Sequence, residues 1–286
     1  MDLKGKICIV TGSNSGIGKV TALEIAKMGA TVIMVSRDRN KGEKALEEVR
    51  NLSGNKDVEL MLCDFASQKS IRKFAEEFKS KYQKLHILVN NAGLILTEKT
   101  ITEDGIESTF AINHIGYFLL TELLLDVIRE STPARIVNVS SDAHKTGHID
   151  FDDINFERKK YSSIGAYCNS KLANILFTRE LAKRLKGTKI TVNCLHPGVI
   201  SSNFGSNTSG ILGFLVKIAK PFFTTVEKGA ETQIYLATSP QVEDVTGEYF
   251  SKKKVAYTTS EANNEGIAKK LWDVSNEMIK ASSFTN

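Results

Sequence analysis

A chain of 286 residues with 41% hydrophobic composition has enough apolar material for one large core, and a single domain over residues 1–286 is the expectation. Its net charge of +5 comes from 38 basic and 33 acidic residues scattered along the chain, which argues against a nucleic-acid surface but leaves a surplus that can attract a phosphorylated small molecule. Cys8, Cys63, Cys168 and Cys194 form no CxxC pair or His-linked spacing, so no metal is expected, and the N-terminus MDLKGK has no signal-peptide pattern; a reducing, cytoplasmic setting fits both.

In chain order, KICIVTG is a short apolar run that stops at glycine, and IGKVTALEIAKMGA follows with apolar residues at helical spacing, ending at Gly29. The alternation repeats: TVIMVS then KGEKALEEVRNL, VELMLCD then SIRKFAEEFKSKY, HILVNNAG then a long helical stretch through FLLTELLLDVIRE. ARIVNVSS then precedes AYCNSKLANILFTRELAKRL, and KITVNCLHPG comes last. Six apolar runs alternating with helices predict an α/β fold, a doubly wound parallel sheet covered on both faces, with its ligand crevice at the carboxyl ends of the strands. Residues 199–225 are the least regular part and are read as a substrate loop or lid. Its apolar residues Ile211, Leu212, Phe214, Leu215, Phe222 and Phe223 suit a greasy substrate, with peripheral membrane contact as the competing use. Lys217, Lys220 and Pro221 interrupt this run, and no apolar run is read as reaching the ~18 to 20 residues of a bilayer span.

TGSNSGIG, Thr11 to Gly18, joins the first strand to the first helix. Gly12, Gly16 and Gly18 there allow a tight turn and close approach of a pyrophosphate to backbone N–H groups at a helix N-terminus; a plain strand-to-helix loop is the alternative. After the second strand, VSRDR places Ser36 and Arg37 where an acid would hold an NAD ribose. A guanidinium fork suits a 2′-phosphate, so NADP(H) is favoured over NAD(H), with Asp38 as a carboxylate that could instead face the ribose or pair with Arg37.

Asp64, in LCDF, stands either at the cofactor or as the N-cap of the next helix. NNAG, Asn90 to Gly93, ends the fourth strand, and Asn113 interrupts an apolar helix, where a polar side chain needs a partner. Ser140 and Ser141 end the fifth strand, so alternation sends one to each face. Tyr167 and Lys171, in YCNSK, lie four apart on one helix face, where a cation would favour the phenolate. Ser, Tyr and Lys converging beside a dinucleotide site describe carbonyl or alcohol redox chemistry. His114, His144, His148, His196 and Cys168 are read as structural.

TGSNSGIG, NNAG, Asn113, VNVSS, YCNSK and HPG stand in the order and spacing of the short-chain dehydrogenases/reductases, and nearly the whole chain resembles that family. AYCNSKLANILFTRELAKRL and HPGVISSNF resemble its retinol dehydrogenase-like branch, which implies NADP(H)-dependent exchange of hydride with apolar aldehydes, ketones or alcohols. The resemblance implies Tyr167 as general acid or base, Lys171 lowering its pKa and holding the nicotinamide ribose, and Ser141 bonding the carbonyl oxygen, with Ser140 as fallback. It implies Asn113 as anchor of a water in a proton relay and Asp64, with Phe65, at the adenine. Ser13, Asn14, Ser15 and Ile17 would complete the glycine loop. Asn91, Ala92 and Gly93 would follow the ribose, and Pro197, Gly198, Val199 and Ser202 the nicotinamide. A homo-oligomer is compatible with the reading, and a catalytically silent dinucleotide sensor is the alternative from another class.

Overall fold

The protein, described as a computed structural model over residues 2–198 and 225–281, is organised around one eight-stranded sheet of order β3-β2-β1-β4-β5-β6-β7-β8. The six predicted strands are β1 (Ile7–Thr11), β2 (Thr31–Ser36), β3 (Val58–Leu62), β4 (Ile87–Asn90), β5 (Ala134–Val139) and β6 (Ile190–His196), all parallel. Two short strands were not foreseen. β7 (Tyr249–Ser251) continues the parallel order, and β8 (Lys254–Val255) folds back antiparallel through a turn that holds Lys252 and Lys253 at positive φ.

Strand periodicity decides which residues feed which core. Cys8 and Val10 pack on one face of β1 with Ala22, Ile25 and Leu236, while Ile9 faces the other with Phe74, Phe118 and Leu172. Helices α1 (Gly16–Lys27) and α2 (Arg39–Ser53) cover the first face together with α7 (Val226–Thr238). The second face carries α3 (Gln68–Lys81), α4 (Ser108–Phe110), α5 (Gly116–Arg129), α6 (Ser163–Arg184) and the C-terminal α8 (Glu265–Ala281). Trp272 of α8 meets Phe118 at 4.9 Å between ring centres and Phe177 at 6.0 Å, closing this core.

A five-residue π turn, Ala111–Ile115, connects α4 to α5, so Ser108–Arg129 runs as one 22-residue helix. Contrary to the sequence reading, this stretch is long and apolar enough to cross a membrane. In the fold, 78% of its apolar window is buried inside the protein, which makes it the core helix of the second layer. Scattered polar residues such as Asn113, His114 and Thr121 hide its length in the sequence, and all three are buried here.

The chain leaves β1 toward β2 and β3, then crosses to the opposite side for β4. The loops after β1 and β4 therefore diverge and open a crevice between them, as expected where strand order reverses.

Candidate active site

A cavity of about 970 Å³ opens along this crevice. Gly12, Asn14, Ser15, Gly16, Ile17 and Gly18 line it from the first loop; Ser36, Arg37, Asp64, Phe65, Asn91, Ala92 and Gly93 follow from the next strands. Ser140, Ser141, Tyr167, Lys171, Pro197 and Gly198 complete the far end. Val199, Ser202 and the apolar lid residues Ile211 to Phe223 lie outside the described residues.

The glycine loop is built by exclusion. Gly12, at φ +64°, passes so close to the loop after β4 that a Cβ would sit 2.8 Å from the Cα of Ala92, and one on Gly18 would clash with Asn91 Nδ2. Gly16 has φ +57° and open space around the missing Cβ. Ser15 occupies the N-cap of α1 without a side-chain bond, whereas Asp38, Ser67, Ser162 and Thr225 cap α2, α3, α6 and α7 with their side chains. The first turn of α1 thus faces the cavity with its N–H groups uncovered by a cap, which fits the pyrophosphate of a dinucleotide.

Ser13 is placed differently from the sequence reading. It is fully buried, accepts at Oγ from Val35 N at 3.0 Å, and does not line the cavity; it fastens the loop to β2. Asn91 fastens the other side. Its N–H and that of Ala92 both donate to Thr11 Oγ1, at 2.8 and 2.9 Å, while Asn91 Nδ2 donates to Thr11 O at 2.7 Å.

At one end of the cavity the exposed Arg37 and Lys41 both line the wall. Asp38 is the N-cap of α2, accepting at Oδ1 from Lys41 N at 3.0 Å, so its bonded partner is Lys41 and not Arg37. Ser36 is nearly buried and its hydroxyl donates to Asp38 O. Lys41 was missed in the sequence: Arg37 lies before the Asp38 cap and Lys41 in the first turn of α2, so no helix-face spacing links the two. Asp64 is not the cap of α3: Ser67 is, accepting from Ser70 N, while Asp64 Oδ1 takes Ala66 N at 2.9 Å and the residue borders the cavity.

At the other end the structure separates the two serines. Ser140 is buried and donates to Lys171 O at 2.7 Å, whereas Ser141 is partly exposed and its hydroxyl bonds the Tyr167 phenol. Lys171 Nζ lies 5.5 Å from the centre of the Tyr167 ring and donates to Val139 O at 3.2 Å. The expected lowering of the tyrosine pKa is not found in the protein alone. Burial pushes Tyr167 up to about 12 against the opposing bond from Ser141, and burial pushes Lys171 down to about 7. Desolvation is the largest cause for both groups.

Asn113 sits in the π turn with no exposed surface. Its Nδ2 donates to Leu94 O at 2.8 Å and to Ser170 Oγ at 3.0 Å, and its Oδ1 accepts from Leu94 N. It does not line the cavity; Leu94, Ile95, Leu96, Thr97 and Ile112 do, beside Tyr167. His114 and Cys168 are buried in packing. Among the described residues, no three His, Cys, Asp or Glu side chains gather as a metal site. Nothing in this geometry favours the silent alternative.

Residues 6–210 match the short chain dehydrogenase family. Retinol dehydrogenase 12 of Mus musculus is 46% identical over 279 residues, covering 98% of this chain and 88% of the relative. Among solved structures, an uncharacterized protein from Mycobacterium paratuberculosis superposes with a TM-score of 0.80 at 32% identity, covering 98% of this chain and 95% of that one. The Pseudomonas aeruginosa RhlG/NADP active-site complex does so with a TM-score of 0.69 at 27% identity, covering 87% and 95%. With the parallel sheet, the glycine loop and the Ser141–Tyr167–Lys171 group in one cavity, these likenesses place the chain among the short-chain dehydrogenases/reductases, an oxidoreductase similar to the retinol dehydrogenases.

Proposed function

We infer that this oxidoreductase prefers NADP(H) and that its alcohol or carbonyl substrate is apolar. The observation that carries the reading is the pairing of the cavity's two ends: Arg37 and Lys41 at one, Ser141, Tyr167 and Lys171 at the other. The bound nicotinamide would supply or accept the hydride. In reduction, Ser141 would hold the carbonyl oxygen and Tyr167 would give it the phenolic proton; in oxidation the proton returns to Tyr167. Lys171, when protonated, stabilises the phenolate and holds ribose hydroxyls. The first turn of α1 would receive the pyrophosphate, and Arg37 the 2′-phosphate.

Leu94, Ile95, Leu96 and Ile112 support an apolar substrate, as does the likeness to a protein named for retinol. Four free thiols suit residence in a reducing compartment such as the cytoplasm. NADPH consumption across unbranched aldehydes of increasing length tests the reading. Each buried methylene contributes ~0.8 kcal/mol, so kcat/KM should rise about fourfold per carbon until the pocket is full. A flat or falling trend rejects the apolar substrate, and no turnover with any carbonyl rejects the activity.

A further inference from the structure

The catalytic lysine does not hold its position alone. Asn174 follows Lys171 by three residues on α6, so the two side chains share a helix face. Both reach the same acceptor: Lys171 Nζ and Asn174 Nδ2 each lie 3.2 Å from Val139 O, at the end of β5. Asn174 Nδ2 also donates to the main-chain oxygen of Asn113 at 3.0 Å. A π turn slips the helical register by one residue and leaves a carbonyl in want of a donor. Asn174, fully buried in the core, answers that need from the facing helix.

Around this amide the bonds close into a frame. Asn113 grips Leu94, which borders the cavity, and Ser170; the Ser170 hydroxyl donates to Tyr167 O at 2.7 Å; Ser140 donates to Lys171 O. Asn174 is the member that ties α6 to both β5 and the π turn. On its remaining side is the His114 imidazole, whose Nε2 lies 2.9 Å from Ser275 Oγ of α8.

We propose that Asn174 is a positioning residue of the reaction, holding Val139 O and Asn113 O so that Lys171 Nζ and the Tyr167 backbone keep their register at the cavity. This rests on the assignment of Tyr167 and Lys171 above. Asn174 touches neither substrate nor cofactor, since it does not line the cavity. Its loss should act on turnover and on Lys171, and leave apolar substrate binding alone.

Two variants test it. Asn174→Leu keeps the volume and removes the donor; Asn174→Asp keeps the shape and sets a carboxylate beside the acceptor of Lys171. The ionisable groups tied to the position are Lys171, which shares the Val139 O acceptor, and His114 of the π turn, while Tyr117 of α5 and Tyr167 interact with one another nearby on the same two helices. With decanal and NADPH, kcat should fall on the order of 10- to 100-fold, the cost of a small misplacement, with the decanal KM within about twofold. The NADPH dissociation constant followed against pH gives a second readout. Affinity should weaken as Lys171 loses its proton, and a neighbouring carboxylate should move that weakening to higher pH in Asn174→Asp.

Thermal unfolding reports whether each variant folds; if Asn174→Leu does not, the kcat and pH displacement of Asn174→Asp decide. Folded variants with wild-type kcat and an unmoved pH midpoint overturn the proposal, as does a kcat that falls only with the folded fraction. Tyr167→Phe measured alongside separates the two levels: if it keeps turnover, the site assignment fails and not the bracket.

Discussion

Removing the guanidinium of Arg37 should separate the two nicotinamide cofactors. Arg37 is exposed at the mouth of the cavity and its side chain has no bonded partner among the described residues, so a 2′-phosphate would not have to displace one. Asp38, the residue best placed to repel that phosphate, is committed to capping α2 through Lys41 N. A hydrogen bond to a charged group contributes about 1.5–3 kcal/mol, and exposure to solvent favours the lower part of that range. Arg37→Ser should therefore weaken NADPH by about 10- to 40-fold and leave NADH nearly unchanged. Lys41→Ser should cost only a few-fold, because its ammonium is already 3.9 Å from Asp38 Oδ2 and is strongly exposed. Replacing Ser36 by Asp, the change the sequence alone recommends for favouring NADH, would bury a carboxylate at a site only 3% exposed; Arg37→Asp puts the charge at the surface instead. Titration calorimetry of both cofactors at fixed salt decides the matter. Equal losses for the two would mean that Arg37 only supports the loop, and tighter wild-type binding of NADH would mean that Asp38 holds the ribose.

Tyr167→Phe should lower turnover by ~10² to 10⁴ while dinucleotide binding persists, because the ring stays and only the transferable proton is lost; wild-type-like rates in a steady-state assay would remove Tyr167 from its role. His114 makes stability sensitive to acid. Burial holds its folded pKa down to about 3, below the ordinary 6.5, so the unfolded chain takes up the proton first. This contribution is fully present above pH 6.5 and is lost as pH falls toward 3, by up to about 1.4 kcal/mol per unit. Urea unfolding at pH 7 and pH 5 should show a smaller acid loss for His114→Gln than for wild type, and equal losses would refute the assignment.

The fold was legible because β1, β2 and β4 are apolar runs that end in Thr11, Ser36 and Asn90 at the crevice, and the mainly apolar runs of β3, β5 and β6 alternate with helical stretches in the same way. β7 and β8 were not, since three and two residues carry no periodicity to read. The choice between Ser140 and Ser141 needed the third dimension: alternation separates them, but only the main chain of Lys171, packed beside β5, shows which hydroxyl is already engaged. Burial was equally invisible. YCNSK displays a cation beside a phenol but not their shared desolvation, which turns both pKa shifts against the simple expectation. The placement of Ser13 was hidden for a related reason, because a loop that reads as uniformly polar has one side chain turned toward β2.

The double acceptance at Thr11 Oγ1 has a consequence for how such chains can be recombined. Segments 11–18 and 90–93 are far apart in sequence, yet they are stitched by four bonds and by the missing Cβ atoms of Gly12 and Gly18. A chimera with a crossover between them would join a first loop from one parent to a fourth-strand loop from another, and a single extra methyl at Gly18 would collide with the Asn91 amide. The two segments form one structural unit, so an exchange of cofactor loops should take both from the same parent.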